Sequence, residues 1–302
     1  MASHKRGEIA AILEQRISRA VASGALRAGD RLPSIRKAAA DLGADPRAVL
    51  AAYRRLSEIG MVTLAPRSGI YLSKSAVNSD DEKPPTDGWL VDTIAAGIFN
   101  GFPISVLSKR VESLAGSSKL RVVVVALTVD QAMGLARELH SDFGFETSYV
   151  LADALRPDKP VPRALKDAHV FITTQRFAND VEPLAKRMKK IAVVVKVRPD
   201  VIASEWVMLL EHPVYVVGMD SRLLELIKAY LRDVPGSVNM VMMVAGHDDL
   251  SKIPPDAPTY VTEAARRFLG KTNIPGRLIK PGKLLDRESV LRLAELLVAR
   301  GA

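Results

Sequence analysis

The chain has 302 residues, enough for two domains, and its 48% apolar and 25% charged content is typical of a soluble globular protein. The absence of cysteine excludes disulfide bonds, thiolate metal sites and a cysteine nucleophile. The N-terminal segment lacks the apolar stretch of a secretory signal, and no apolar run reaches the roughly 18 residues that span a bilayer, so we expect a cytoplasmic protein with no membrane partner.

The net charge of +9 is concentrated near the N-terminus. Residues 1–74 contain thirteen Lys/Arg and six Asp/Glu side chains, a net charge of +7, and the remaining residues add only +2. Concentrated positive charge favours a polyanionic partner, because the neutralisation of phosphates releases condensed counterions. A well-solvated basic domain without such a partner is the alternative, and charge alone does not decide between the two.

Three helical patterns and one hairpin pattern follow one another in the basic segment. Apolar residues at three- and four-residue intervals predict an amphipathic helix over residues 5–22. Ser34 is a suitable N-cap for a second helix, which Gly43 ends, and Asp45 begins a third. The alternating segments MVTLAP and GIYLSK surround a turn at residues 67–69 and predict a β-hairpin. Helices and hairpin in this order predict a winged helix-turn-helix.

The third helix is predicted to bury one face and to present the other. The buried stripe consists of Val49, Ala52, Tyr53 and Leu56, and the outward face carries Arg47, Leu50, Ala51, Arg54 and Arg55. Small residues allow a close approach to the floor of a groove, and arginines reach phosphates or guanine edges. The pattern therefore predicts a helix that enters a groove of double-stranded DNA.

The segment GALRAGDRLPSIRKAAADLGADPRAVLAAYRRLSEIGMV, with RSGIYL after it, resembles the DNA-binding domain of GntR-type bacterial transcription regulators. The matching positions lie in order over residues 7–72, the first quarter of the chain. They are Gly24, Leu26, Gly29, Leu32, Pro33, Ser34, Arg36, Ala39, Leu42, Gly43, Val49, Ala52, Tyr53, Leu56, Gly60, Ser68, Gly69 and Tyr71. The stretch that begins at Asp45 is closest to the version in the YtrA-like and MocR-like branches.

The resemblance implies that DNA is contacted by the second helix, by the start of the third helix and by the wing. The residues expected at the interface are Ser34, Arg36, Asp45, Arg47, Ala48, Arg54, Arg67, Ser68 and Gly69. Asp45 and Ala48 depart from the family pattern, which usually has an amide or hydroxyl and a threonine there, and Arg67 stands where relatives often have glycine. These departures bear on the operator sequence that is recognised.

The rest of the chain changes character. Residues 76–115 begin as a polar, proline-bearing linker and continue with apolar residues at helix-like intervals, which predict connecting helices and a candidate dimer seam. Six valine-rich runs then alternate with helical patterns, which predicts a mainly parallel α/β sheet, built as one sheet or as two lobes. We thus expect an α/β multidomain protein with domains at 1–75 and 116–302, closed by a helix at residues 287–300.

Candidate effector residues follow the predicted strands, because ligands of parallel α/β sheets bind beyond the carboxyl ends of strands. They are Thr128, Asp153, Thr173, Thr174, Gln175, Arg176, Arg198 and Asp220. The segment TTQR combines hydroxyls, an amide and a guanidinium that can hold a carboxylate or phosphate. Ordinary helix N-capping by Thr173 or Thr174 is the alternative.

We expect a GntR-type repressor, with activation left open, that binds a pseudo-palindromic DNA operator as a homodimer and whose second domain senses a small-molecule effector. A second domain that serves as a ligand-free dimerisation or protein-interaction platform is one alternative, and a small fused enzyme is another. The second domain is too short for the aminotransferase-like half of MocR regulators and too rich in strands for the FadR type. No GxGxxG, GxxxxGK[ST] or GxSxG motif is present, so no enzyme activity, cofactor or metal is expected.

Overall fold

The computed structural model describes residues 6–22, 26–66, 68–74, 88–116, 120–155, 160–197, 213–232, 236–279 and 283–300. Two compact units divide the chain. Unit 1 consists of Met1–Asp81 with Pro199–Gly282, and unit 2 consists of Glu82–Arg198 with Lys283–Ala302. The chain therefore passes between the units three times.

Helices and strands alternate along most of the chain. The helices are α1 (Arg6–Ala22), α2 (Ile35–Leu42), α3 (Pro46–Glu58), α4 (Gly88–Phe99), α5 (Ile104–Gly116), α6 (Val129–Phe143), α7 (Arg163–Asp167), α8 (Ala178–Arg187), α9 (Ser221–Tyr230), α10 (Glu263–Leu269) and α11 (Arg287–Arg300). The strands are β1 (Arg31–Leu32), β2 (Val62–Ala65), β3 (Gly69–Leu72), β4 (Arg121–Ala126), β5 (Glu146–Leu151), β6 (Val170–Thr174), β7 (Ile191–Val195), β8 (Val214–Gly218), β9 (Met240–Val244), β10 (Pro258–Val261) and β11 (Arg277–Ile279).

The N-terminal part of unit 1 is a winged helix-turn-helix, as the sequence predicted. Helices α1, α2 and α3 accompany an antiparallel sheet of order β1–β3–β2, in which β1 lies between α1 and α2 in the chain and Leu64 pairs with Ile70. One core holds these elements together. Its buried members include Ile9, Leu13, Ile17, Leu26, Leu32, Val49, Tyr53, Leu56, Val62, Ile70 and Leu72. Burial of this contiguous apolar surface is the main force that fixes the three helices.

Unit 1 also contains a four-stranded sheet of order β11–β10–β8–β9. Every pairing in it is parallel. Val214, Val216 and Ile279 belong to the same buried cluster as the winged-helix core. On the opposite face, Val217 packs in a separate cluster with residues of β9, β10 and α10.

Unit 2 is built on a second parallel sheet, of order β5–β4–β6–β7. All residues of β4 from Val122 to Ala126 are buried, because helices cover both faces of the sheet. Val122 and Val124 pack with α6 and α11, whereas Val123 and Val125 pack with α7 and α8.

The two parallel sheets share one strand order. When the strands of each sheet are numbered in chain order, the sheet of unit 1 read from β9 and the sheet of unit 2 read from β5 both have the order second, first, third, fourth. The prediction of a mainly parallel α/β arrangement is confirmed. The sequence left open whether the strands form one sheet or two lobes, and in the structure they form two sheets. The six predicted runs correspond to β4 to β9, and the short strands β10 and β11 were missed because they have no valine-rich run.

Helices α4 and α5 form a hairpin at the start of the described part of unit 2. The close approach of the helices is seen at Gly97, where a Cβ atom would meet the Leu107 side chain. Among the described helices, no single one is long and apolar enough to span a membrane; only the pair Leu90–Phe99 and Ile104–Leu114, taken together across a bend of 116°, meets that test.

Candidate nucleic-acid interface

Helix α3 is capped at its first turn and is amphipathic along its length. The Asp45 carboxylate accepts a hydrogen bond from the Arg47 amide at 2.6 Å, and Pro46 occupies the first turn, where its missing N–H costs nothing. Val49, Ala52, Tyr53 and Leu56 are buried. Of the residues predicted on the outward face, Arg47, Ala51, Arg54 and Arg55 are exposed and Leu50 is half-buried; Pro46 and Glu58 are exposed as well. The predicted division of this helix into two faces is therefore present in the structure.

The start of α2 lies next to α3 in the helix-turn-helix. Ser34 is its N-cap and accepts a hydrogen bond from the Lys37 amide at 3.3 Å. Arg36, in the first turn, is exposed. Gly43 ends the helix with a φ of 58°, a left-handed conformation that glycine adopts without strain and that turns the chain into α3.

A buried hydrogen bond joins the two helices of the motif. The Tyr53 hydroxyl donates to the Pro33 carbonyl at 3.0 Å, across 20 positions of sequence. Tyr53 is fully buried, so its ring fills the core while its hydroxyl fixes the entry to α2. The sequence placed Tyr53 in the buried stripe but gave no sign of this bond.

The wing is the hairpin of β2 and β3. At its tip the Ser68 and Tyr71 hydroxyls lie 2.8 Å apart, and Tyr71 also donates to the Ser68 carbonyl. Gly69 has a φ of 136°, and a Cβ atom there would meet the Arg31 guanidinium at 2.9 Å. Arg31 is an exposed cation beside the wing that sequence reasoning missed, and its pairing with Tyr71 across β1 and β3 is what brings it there. Arg67, also expected at the wing, lies outside the described residues.

The exposed arginines of this surface are free to meet an external anion. Within the part of the chain that the structure describes, the guanidinium groups of Arg36, Arg47, Arg54 and Arg55 have no hydrogen bond or ion pair. All four are exposed. A duplex would therefore not have to displace an internal carboxylate before its phosphates bound these groups.

The sequence profile described as bacterial regulatory proteins, gntR family, matches residues 9–72, the segment that forms these helices and the wing. Residues 9–72 are a GntR-family helix-turn-helix domain. The match does not distinguish branches of the family, so the YtrA-like or MocR-like assignment stays a prediction. A search of curated proteins found no match.

Three solved structures are similar to the chain. A transcriptional regulator from Oenococcus oeni is 27% identical, with a TM-score of 0.30, and the match covers 38% of this chain and 97% of that one. A transcriptional antiterminator from Listeria monocytogenes EGD-e is 22% identical, with a TM-score of 0.26 and coverages of 36% and 81%. A GntR family transcriptional regulator from Listeria monocytogenes is 26% identical, with a TM-score of 0.22 and coverages of 33% and 81%.

The structure brings the described DNA-contact candidates of the GntR domain onto α2, α3 and the wing. Of these candidates, Ser34 and Asp45 use their side chains as helix caps. Ala48, in the first turn of α3, is half-buried, and Ser68 is exposed. The roles of these residues in DNA contact stay predictions.

Several effector candidates lie in unit 2, at the carboxyl ends of β4 and β6. The two strands are neighbours, with Val125 paired to Thr173, and their following helices cover opposite faces, which is where ligands of such sheets bind. Thr128 is buried and caps α6 by accepting from the Gln131 amide at 3.2 Å. Thr173 is buried and donates to the Val125 carbonyl at 3.0 Å. Thr174 is half-buried.

The other candidates are divided among three places. Asp153 lines a cavity of about 420 Å³ with Phe177, Asp180 and Arg187. Gln175 and Arg176 are exposed on the turn after β6, and Arg198 lies outside the described residues.

Asp220 belongs to unit 1. It caps α9 and forms an ion pair with Arg222 at 2.8 Å, and hydrogen bonds from the Arg222 side chain lower the pKa of this carboxyl. In the described part of the chain, no group of three or more His, Asp or Glu side chains is placed to hold a metal ion.

Proposed function

We propose that this protein is a transcription regulator that binds a pseudo-palindromic operator as a homodimer, through α3 and the wing of its GntR domain. The observation that carries the proposal is the exposed, unpaired arginine face of α2 and α3. In this arrangement the N-terminal half of α3 enters the major groove. Arg47, in the first turn, is exposed and can reach a base edge, and the small exposed residue Ala51, one turn later, allows the helix to approach closely. Twofold protein symmetry is then matched by twofold operator symmetry.

Each candidate has a distinct role in the proposed complex. Arg47, nearest the start of α3, reads a base edge, whereas Arg36 and Arg54 bind phosphates and set the register of the domain. Ser68 and Gly69 approach the backbone or minor groove at the wing, together with Arg67. Asp45 places a negative charge near the bases at the helix start, which favours a cytosine amino group over a guanine carbonyl.

The dimer seam is proposed to be the hairpin of α4 and α5. Its apolar side chains lie largely uncovered in the single chain, with Phe99 94% exposed and Val111 66% exposed. Further exposed members are Val91, Ile98, Phe102, Ile104 and Val106. Several exposed apolar side chains on one hairpin are typical of an interaction surface, and a second copy of the same hairpin offers a self-complementary partner.

Repression of transcription in the cytoplasm and modulation by a small molecule complete the proposal. The parallel sheets support an effector role because each has a strand-order reversal, where small ligands of α/β proteins bind. A ligand that prefers one dimer geometry changes the spacing of the two α3 helices and hence the affinity for the operator.

Selection of duplexes from a random-sequence pool, followed by fluorescence anisotropy, tests DNA recognition. The full-length protein is expected to enrich a twofold-symmetric site, and Arg47→Ala is expected to lower the affinity for that site about 5- to 150-fold, the range for one base-reading arginine. Arg163→Ala, at an exposed side chain of α7 in unit 2, is the matched control and should bind as the wild type does. Failure to enrich any symmetric site would contradict the proposal.

Analytical ultracentrifugation tests the dimer seam. Phe99→Ser and Val111→Ser together are expected to convert a dimer into a monomer, because they remove the two most exposed apolar side chains of the hairpin. Val238→Ser is the control, since Val238 is 92% exposed but lies in unit 1. A dimer that survives the double substitution would place the seam elsewhere.

A further inference from the structure

A cavity of about 440 Å³ lies within unit 1, between the GntR domain and the parallel sheet. Leu26, Asp30 and Tyr71 line it from the GntR domain, and Tyr215 and Arg277 line it from the sheet. The sheet residues stand at the amino-terminal ends of their strands, because Tyr215 is the second residue of β8 and Arg277 is the first residue of β11. Rules that place ligands at carboxyl ends of strands therefore do not point to this cavity.

Two cations line the cavity, Arg31 and Arg277. Arg31 is exposed, whereas the Arg277 side chain is deeply buried, only 8% exposed. Its Nη1 donates to the Asp30 carboxylate at 2.9 Å. A guanidinium carries five N–H donors, and within the described residues no other hydrogen bond from this guanidinium is formed. Among the described residues, no Arg277 nitrogen is both sealed from solvent and without a partner, so the other N–H groups are open to the cavity and available to an acceptor that enters it.

The geometry of a guanidinium selects the kind of acceptor. Two parallel N–H groups match the two oxygens of a carboxylate, and such bidentate pairs are among the strongest hydrogen-bonded contacts in proteins. The Asp30 and Asp256 carboxylates and the Arg31 guanidinium also line the cavity, so two cations face two carboxylates and the wall has no surplus positive charge to neutralise a ligand with several negative charges. A single carboxylate fits this balance of charges.

The rest of the wall is apolar or aromatic. It consists of Leu26, Tyr71, Pro213, Tyr215, Pro254, Ala257 and Pro258. Within the described residues the Tyr215 hydroxyl has no hydrogen-bond partner, so it is available as a second donor to a ligand oxygen. Sites of this size with apolar walls and a few polar groups are typical of small-molecule binding.

We propose that this cavity binds a small monocarboxylic acid with an aromatic or branched aliphatic body, whose carboxylate lies on Arg277 and Tyr215. The ligand carboxylate binds the Arg277 N–H groups that Asp30 leaves open, so the two carboxylates share one guanidinium and the Asp30–Arg277 pair is weakened. Asp30 is tied to the wing, since its carbonyl accepts from the Leu72 amide of β3 at 2.9 Å and the adjacent Gly29 amide donates to the Leu72 carbonyl. Weakening of the Asp30–Arg277 pair therefore alters the attachment of the wing, and this regulatory consequence rests on the proposed DNA-binding function.

Fluorine NMR with the full-length protein tests the site directly. The probe is 4-fluorobenzoate, and 4-fluorobenzyl alcohol is its uncharged counterpart. The acid is expected to bind saturably with a Kd on the order of 1 mM, the range open to a ligand of this size, and the alcohol at least about tenfold more weakly. Equal binding of both probes, or no saturable binding of the acid, would overturn the proposal.

Three variants locate the probe. Arg277→Gln is expected to weaken binding of the acid at least about tenfold, and Pro254→Trp, at an exposed wall residue, to block the cavity without altering the ion pair. Arg222→Gln is the control, because Arg222 is an arginine of the same unit outside the cavity. If Arg277→Gln does not fold, Pro254→Trp decides, and unchanged binding by a folded cavity variant would refute the site.

Operator affinity measured with and without the probe separates the two proposals. A wild-type protein that binds the acid and changes its operator affinity at least about threefold supports both the site and its coupling to the wing. Binding of the acid by a protein that binds no operator overturns the proposed function and leaves the site standing. Binding of the acid with unchanged operator affinity overturns the coupling alone.

Discussion

The hydrogen bond between Tyr53 and Pro33 is expected to stabilise the helix-turn-helix, and Tyr53→Phe removes it without changing the packing of the ring. The hydroxyl is fully buried and donates at 3.0 Å, so its loss leaves a buried carbonyl without that donor. The net worth of such a bond and the cost of the unsatisfied acceptor together amount to about 1–2 kcal/mol. This corresponds to a roughly 5- to 30-fold increase in local opening.

Hydrogen exchange of the α3 amides in the full-length protein measures this opening. Tyr71→Phe is the matched control, because the Tyr71 hydroxyl lies at the tip of the wing and, among the residues that the structure describes, bonds only to Ser68. Its loss should change stability by less than about 0.5 kcal/mol. Equal exchange of α3 in the two variants would refute the reasoning that the buried bond fixes the motif.

The remaining predictions concern caps and one buried carboxyl. Asp45→Ala should lower the stability of the GntR domain by about 1 kcal/mol in urea unfolding, because it removes the helix cap. Asp45→Asn should keep the cap and raise the affinity for DNA, because it removes a negative charge. Equal stabilities of the Asp45→Ala and Asp45→Asn variants would count against the capping role. Gly43→Ala should cost about 1 kcal/mol through backbone strain alone, since nothing lies within 4 Å of the added Cβ atom, and an unchanged melting temperature would contradict this. Burial raises the pKa of Glu138 above its ordinary value of 4.5, against the hydrogen bonds from the Leu284 and Leu285 amides. The folded state thus holds this proton more tightly, so the contribution is present at low pH and is lost as pH rises through the folded-state pKa. The melting temperature of the wild type relative to Glu138→Gln should therefore fall as the pH is raised above the ordinary glutamate pKa of 4.5, and a difference that does not change with pH would contradict this.

The winged helix-turn-helix could be predicted because its signals are local. Ser34, Gly43 and Asp45 each act within three or four residues of their own position, as caps or as a left-handed turn. The stripe of α3 follows from helical periodicity alone. These signals fix the element order and the outward face of α3 without any long-range information.

The features that the sequence did not predict depend on contacts between residues that are distant in the chain. The Asp30 and Arg277 side chains are 247 positions apart, and no pattern in the sequence links them. The strands β10 and β11 are short, and β11 alternates buried and exposed residues over only three positions, too few for a periodic signal. The division of the α/β part into two sheets could not be predicted for the same reason.

The salt dependence of operator binding tests the role of the arginine face most directly. Within the described residues, Arg36, Arg54 and Arg55 supply three unpaired guanidinium groups per GntR domain beside the base-reading Arg47. If these three in each protomer of a dimer bind phosphate, the logarithm of the association constant falls with the logarithm of salt concentration with a slope of about −5, and Arg54→Gln makes the slope shallower by about 2. A slope near zero, or a slope that Arg36→Gln and Arg54→Gln both leave unchanged, would contradict DNA binding through this face.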